Sequence, residues 1–177
     1  GRSFLLRLSI PQGRRQGQPE YPTGVAGLVG STIRSDSGGT FVQQQAEGKS
    51  KGSDLTSRGI RVEVAPSFVH EQSDPAQNRF VFAYRVRVSN QTPATVQLLG
   101  REWRIVDADG ELNIVKGEGV VGQRPRIAPG QTFEYSSFCP LTTPWGTMEG
   151  AYEMESEDGA SMTIPIARFY LVAPGGD

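Results

Sequence analysis

Lys116-Gly117-Glu118-Gly119-Val120-Val121-Gly122 is the stretch of this 177-residue chain whose residue types and spacing could do chemistry. Its glycines follow the pattern G-x-G-x-x-G. After a strand and at the mouth of a helix, that pattern lets backbone amides approach a pyrophosphate. Here Gln123-Arg-Pro-Arg-Ile-Ala-Pro-Gly130 follows, and its two prolines and Pro-Gly turn exclude a helix. The motif therefore lies in a β context. In a turn, consecutive amides can still form an anion-binding nest. Lys116, Gly117, Gly119, Gly122, Arg124 and Arg126 would then make a phosphate or nucleotide loop, although Glu118 inside it repels anions. Glycines in strands also serve bulges, bends and close backbone approach. That structural use is the expected one.

Other chemistry lacks its parts. Nucleophilic catalysis needs a nucleophile beside a base. The single cysteine, Cys139, precedes a proline, and the single histidine, His70, is distant in sequence. One Cys and one His do not make a zinc site. Asp107-Ala-Asp-Gly110 begins like a calcium loop but lacks the later ligands. No catalytic residue, metal site or cofactor is assigned.

The elements that would position these residues are strands. Ile60, Val62 and Val64 alternate with Arg61 and Glu63, the mark of a strand with one buried face. Phe80, Phe82, Tyr84, Val86 and Val88 do the same against Arg85 and Arg87. Thr95 to Val106 forms the next strand, with Leu99, Trp103 and Ile105 on one face and Trp103 as a core aromatic. Asp107–Gly110 is a hairpin turn. Phe133 and Tyr135 share a face, and residues 139–146 read as a long loop. Met148, Gly150, Tyr152 and Met154 face inward, which makes Glu149, Glu153 and Glu155 a solvated strand face. Met162, Ile164 and Ile166 form the last core strand, and Pro165 places it at a sheet edge.

The segments Arg79-Phe-Val-Phe-Ala-Tyr84, Arg101-Glu-Trp103, Asp107-Ala-Asp-Gly110, Gly117-Glu-Gly-Val-Val-Gly122, Ile127-Ala-Pro-Gly130, Leu141-Thr-Thr-Pro144 and Gly146-Thr-Met-Glu-Gly150 occur in an unbroken order. In them the chain from about residue 59 to residue 174 resembles the ApaG domain family. The resemblance implies an all-β, immunoglobulin- or fibronectin-III-like two-sheet sandwich. It also implies an accessory role, because the family occurs within an F-box substrate receptor and a polymerase-interacting protein.

Residues 1–58 stand outside the resemblance. They carry 8 Lys and Arg against 4 Asp and Glu, and residues 59–177 carry 10 against 15. A +4 arm thus precedes a −5 domain. The arm is rich in Gly, Gln, Ser and Arg, with no lasting period. It cannot offset an ordering cost of roughly 1–2 kcal/mol per residue from its own contacts. The expectation is an extended irregular arm, held by other protein subunits through Phe4, Leu5, Leu6, Leu8, Ile10 and Tyr21. Nucleic acid is a weaker alternative, with Arg2, Arg7, Arg14, Arg15 and Arg34 on phosphates. No run reaches the ~18 apolar residues of a membrane span. The chain starts at Gly1, not Met, as a processed chain or a fragment of a longer protein would, and loss of a mitochondrial or chloroplast presequence fits. The leading reading is a non-catalytic interaction module.

Overall fold

The computed structural model describes residues 32–35 and 52–176. Phe4, Leu5, Leu6, Leu8, Ile10, Tyr21 and arginines 2, 7, 14 and 15 lie outside the described residues. Ten strands form two antiparallel sheets. They are β1 Thr32–Ser35, β2 Ser53–Ser57, β3 Ile60–Phe68, β4 Phe80–Asn90, β5 Val96–Asp107, β6 Leu112–Glu118, β7 Arg126–Ile127, β8 Gln131–Leu141, β9 Trp145–Ser156 and β10 Ser161–Val172. One sheet has the order β1-β8-β4-β3-β2, the other β10-β9-β5-β6, with β7 on the end of β5. The only helical pieces among the described residues are single 3-10 turns at His70–Gln72 and Pro75–Gln77. The expected two-layer sandwich is present.

Alternation builds the core. The inward residues of β3 and β4, Ile60, Val62, Val64, Phe82, Val86 and Val88, meet Leu98, Trp103, Met148, Tyr152, Met154, Ile164 and Phe169 of the other sheet. Trp103 is buried edge-on to Tyr84 and Phe169, at centroid distances of 5.5 and 5.8 Å. Such geometry suits the ring quadrupoles. The Asp107–Gly110 turn closes as expected, with the Asp107 carboxylate accepting from the amides of Asp109 and Glu111 at 2.9 Å each.

Three readings change. First, the boundary after residue 58 cuts a hairpin. Ser53–Ser57 pairs with Ile60–Val64, so it belongs to the sandwich, and Thr32–Ser35 pairs with β8. Polar, short edge strands carry no period strong enough to announce them. Second, the register of β5 shifts between Leu98 and Gly100. This bulge sends Leu98 rather than Leu99 into the core. Third, the loop expected over 139–146 is mostly strand. Cys139 pairs with Phe82 and Pro140 with Val81. Val81 spends its carbonyl on Val69 and its amide on Ser73, both on the side away from β8. Pro140 therefore sits at a pair that exchanges no backbone hydrogen bond with β4, and its missing donor faces the open flank of β8. Leu112, Ile114 and Val115 lead into the glycines as read; they lie on the outermost strand of their sheet and are exposed.

Pro165 lies in edge strand β10, as expected. Pro66 lies in β3 just past Val64, the last residue that β2 covers.

Candidate functional site

The glycine stretch ends β6 and folds back in a tight turn. Val120 donates to the Gln123 carbonyl and Gln123 donates back, both at 2.8 Å. Val121 and Gly122 at its tip have φ of 46° and 75°, the φ signature of a type I′ turn. Gly119 has φ 57°, and a Cβ there would stand 2.1 Å from the Gln123 carbonyl oxygen. Gly117 lies against Arg101, whose guanidinium would be 2.8 Å from an added Cβ.

Arg101 is the residue that sequence reasoning passed over. It stands on β5 two positions before Trp103, facing the same side. Its guanidinium donates to the carbonyl oxygens of Gly119 at 2.8 Å and Glu118 at 3.2 Å. An arginine two residues from a core tryptophan, opposite a glycine on the next strand, is the pattern that could have revealed it.

This geometry commits several of the groups an anion would need. The Gly119 amide donates to the Leu99 carbonyl at 2.7 Å, and those of Val120 and Gln123 bond across the turn. Lys116 pairs with Glu102 at 2.9 Å and Arg124 with Glu118 at 2.6 Å, while Arg126 reaches the Gln97 side-chain oxygen at 3.5 Å. The sequence-predicted loop residues do cluster at one end of the sheet. What they form is an arginine-clamped turn in which Lys116 and Arg124 are paired with carboxylates.

Behind the clamp lies a buried tyrosine set. The hydroxyls of Tyr135 and Tyr152 bond to each other inside the core. Burial pushes Tyr84 up to about 12, opposed in part by its hydrogen bond with Ser137. Burial likewise holds Tyr135 and Tyr152 far above the usual phenol range. Cys139 is buried, and burial pushes its thiol up to about 12. A thiol held protonated is a poor nucleophile. His70 is remote in role: it stacks edge-on against Phe68 at 4.8 Å and borders a shallow cleft of about 280 Å³ with Pro75, Phe80, Pro144 and Pro174. Among the described residues no group of three His, Cys, Asp or Glu could hold a metal, and no helix is long and apolar enough to cross a membrane.

The outer faces of the two sheets differ. On the five-stranded sheet, Arg61 bridges Asp54 and Glu63, Arg87 reaches Glu63, and Arg85 reaches Glu134. Hydrogen bonding to Arg61 holds the Asp54 carboxyl below its usual range. On the four-stranded sheet, Leu112, Val106, Thr147 and Tyr170 pair in one row across all four strands. Trp145 and Val172 pair beside it on the same face. Leu112 is 50% exposed, Tyr170 42% and Trp145 41%. Further along, Glu149 takes two hydrogen bonds from Arg168 and Glu153 accepts from Thr163. The acidic run is thus a hydrogen-bonded outer face.

These features define a class: an all-strand, two-layer sandwich with a clamped glycine turn. The family model for the ApaG domain matches residues 70–156. Protein ApaG of Paramagnetospirillum magneticum is 51% identical over 119 residues, covering 67% of this chain and 92% of that protein. Protein ApaG of Allorhizobium ampelinum is 48% identical over 117 residues, covering 66% and 90%. The crystal structure of a putative ApaA protein from Bordetella pertussis is 49% identical, with a TM-score of 0.64 over 65% of this chain and 94% of that one. The chain belongs to the ApaG domain family.

Proposed function

We propose that the protein is a non-catalytic interaction module, an accessory subunit that presents the outer face of its four-stranded sheet to another protein. The observation that carries this reading is the apolar row Leu112–Val106–Thr147–Tyr170 with Trp145 and Val172 beside it. Exposed aromatic and aliphatic side chains gathered on one face mark protein contact surfaces. The buried, protonated Cys139 thiol and the paired charges around the glycine turn support the non-catalytic part. The basic arm serves as a second attachment, and an organelle is the setting the reading carries forward; cell fractionation of the natural protein tests that setting.

The test places a photo-crosslinking amino acid at Tyr170 in the full chain, with Arg85 on the opposite outer face as the control position. A discrete crosslinked protein from position 170, absent from position 85 and lost on Trp145→Ser, is the expected result. Crosslinks from position 85 alone, or turnover of any substrate that depends on Cys139 or His70, would overturn the reading.

A further inference from the structure

We propose that β6 pairs with β6 of a second copy of this chain, antiparallel about a two-fold axis at Ile114, joining two four-stranded sheets edge to edge. The inference goes beyond the outer-face reading and stands without it.

β6 pairs with β5 alone among the described residues. Asp107 donates to Glu111 and Gly119 donates to Leu99 in the same register as the ladder. Hydrogen bonds to β5 therefore fall on the odd-numbered residues of β6. The amides and carbonyls of Leu112, Ile114 and Lys116 point to the open flank, which is a template for another strand.

Other flanks are guarded. Pro140 removes the donor from β8 beyond the reach of β1. Pro66 lies where β3 emerges past β2, opposite Tyr84. Val69 donates to Val81 three positions along, an odd offset in an alternating ladder, so Pro66 also falls at a pair without backbone bonds and faces outward. β10 carries Pro165 and lies against β2 and β3. β6, Leu-Asn-Ile-Val-Lys-Gly-Glu, has no proline, and its one lysine is already paired with Glu102.

Charge selects the second copy and its direction. The turn before β6 carries Asp107, Asp109 and Glu111, none with a cationic partner among the described residues. Around its other end Arg101, opposite Gly117, stands with Lys116 and Arg124, which pair with Glu102 and Glu118. Three cations against two carboxylates leave that end net positive, facing three carboxylates at the turn. Antiparallel pairing sets each copy's acidic turn beside the other's basic end; parallel pairing sets like against like. Centring on Ile114 puts Ile114 against Ile114 and Leu112 against the Lys116 stem. Centring on Lys116 opposes two ammonium groups, and centring on Val115 sets Leu112 against Glu118.

Single cysteines in the full chain test this. At the axis the two Cα atoms stand about 5.5 Å apart, within disulfide reach, whereas two Leu112 positions stand about 14 Å apart. Ile114→Cys is expected to form a covalent dimer under mild oxidation and Leu112→Cys is not; buried Cys139 does not compete. Sedimentation at about 100 µM is expected to show a dimer, with association at least about tenfold weaker for Ile114→Glu. Ile114 is 44% exposed, and an unchanged thermal midpoint confirms that the fold survives. A chain that stays monomeric at about 1 mM, or that crosslinks at Val115→Cys but not at Ile114→Cys, sinks the proposal. Either outcome leaves the Tyr170 crosslink untouched.

Discussion

The Arg101 guanidinium donates to the carbonyl oxygen of Gly119 at 2.8 Å. From two positions before the core tryptophan of β5, this arginine holds the turn that closes β6. A charged donor to a half-buried carbonyl contributes about 1.5–3 kcal/mol. Arg101→Met keeps the stem and deletes the donors. Denaturant unfolding is expected to show a loss of about 2 kcal/mol, with hydrogen exchange speeding at Gly119 and Val120 before the rest of the sheet.

The two glycines of the clamp should respond differently to alanine. At Gly119 the added methyl meets a fixed backbone oxygen and φ is positive. At Gly117 it meets the end of a movable arginine. Gly119→Ala is expected to cost at least about 2 kcal/mol and Gly117→Ala about 1 kcal/mol or less. Equal costs in urea titrations would show that the Gln123 contact is not the constraint.

Tyr135 and Tyr152 satisfy each other. Removing either hydroxyl strands the other in the core, at about 1–3 kcal/mol. Removing both strands neither. Tyr135→Phe and Tyr152→Phe are each expected to destabilise, and the double variant by clearly less than the sum, in a thermodynamic cycle.

Alkali should unfold the protein in a defined window. In the folded chain burial raises Tyr84 from 10.0 to about 12 and Cys139 from 9.0 to about 12, with Tyr135 and Tyr152 shifted the same way. Folded values above unfolded ones mean that the stabilisation is fully present below about pH 9. Above it the unfolded chain releases protons that the folded chain keeps, and stability falls through about pH 12. Ultraviolet titration is expected to show Tyr84, Tyr135 and Tyr152 ionising only with loss of the strand signal in circular dichroism.

Much of the sandwich was legible because period-2 alternation is strong where one face is buried, as in Phe80–Val88 and Met148–Met154. Asp107–Gly110 was legible because turn chemistry is local. The bulge at Leu98 was not, since one extra residue reverses the facing of everything beyond it without changing composition. Nor was Pro140 as a strand residue: whether proline breaks a strand depends on which neighbour its nitrogen faces. The glycine stretch could be read as structural, but its holder could not be named. Arg101 and Gly119 are 18 positions apart, and only strand register brings them together. The exposed row over four strands is equally a product of register.

The chemical contrast between the two layers has a consequence for assembly. Strand β1 belongs to the layer with the charge lattice, opposite the apolar row. A protein seated on that row would leave the charged outer face of β2, β3 and β4 uncovered on the far side of the body. Neighbours of opposite chemical taste would thus fit back to back without competing for the same area.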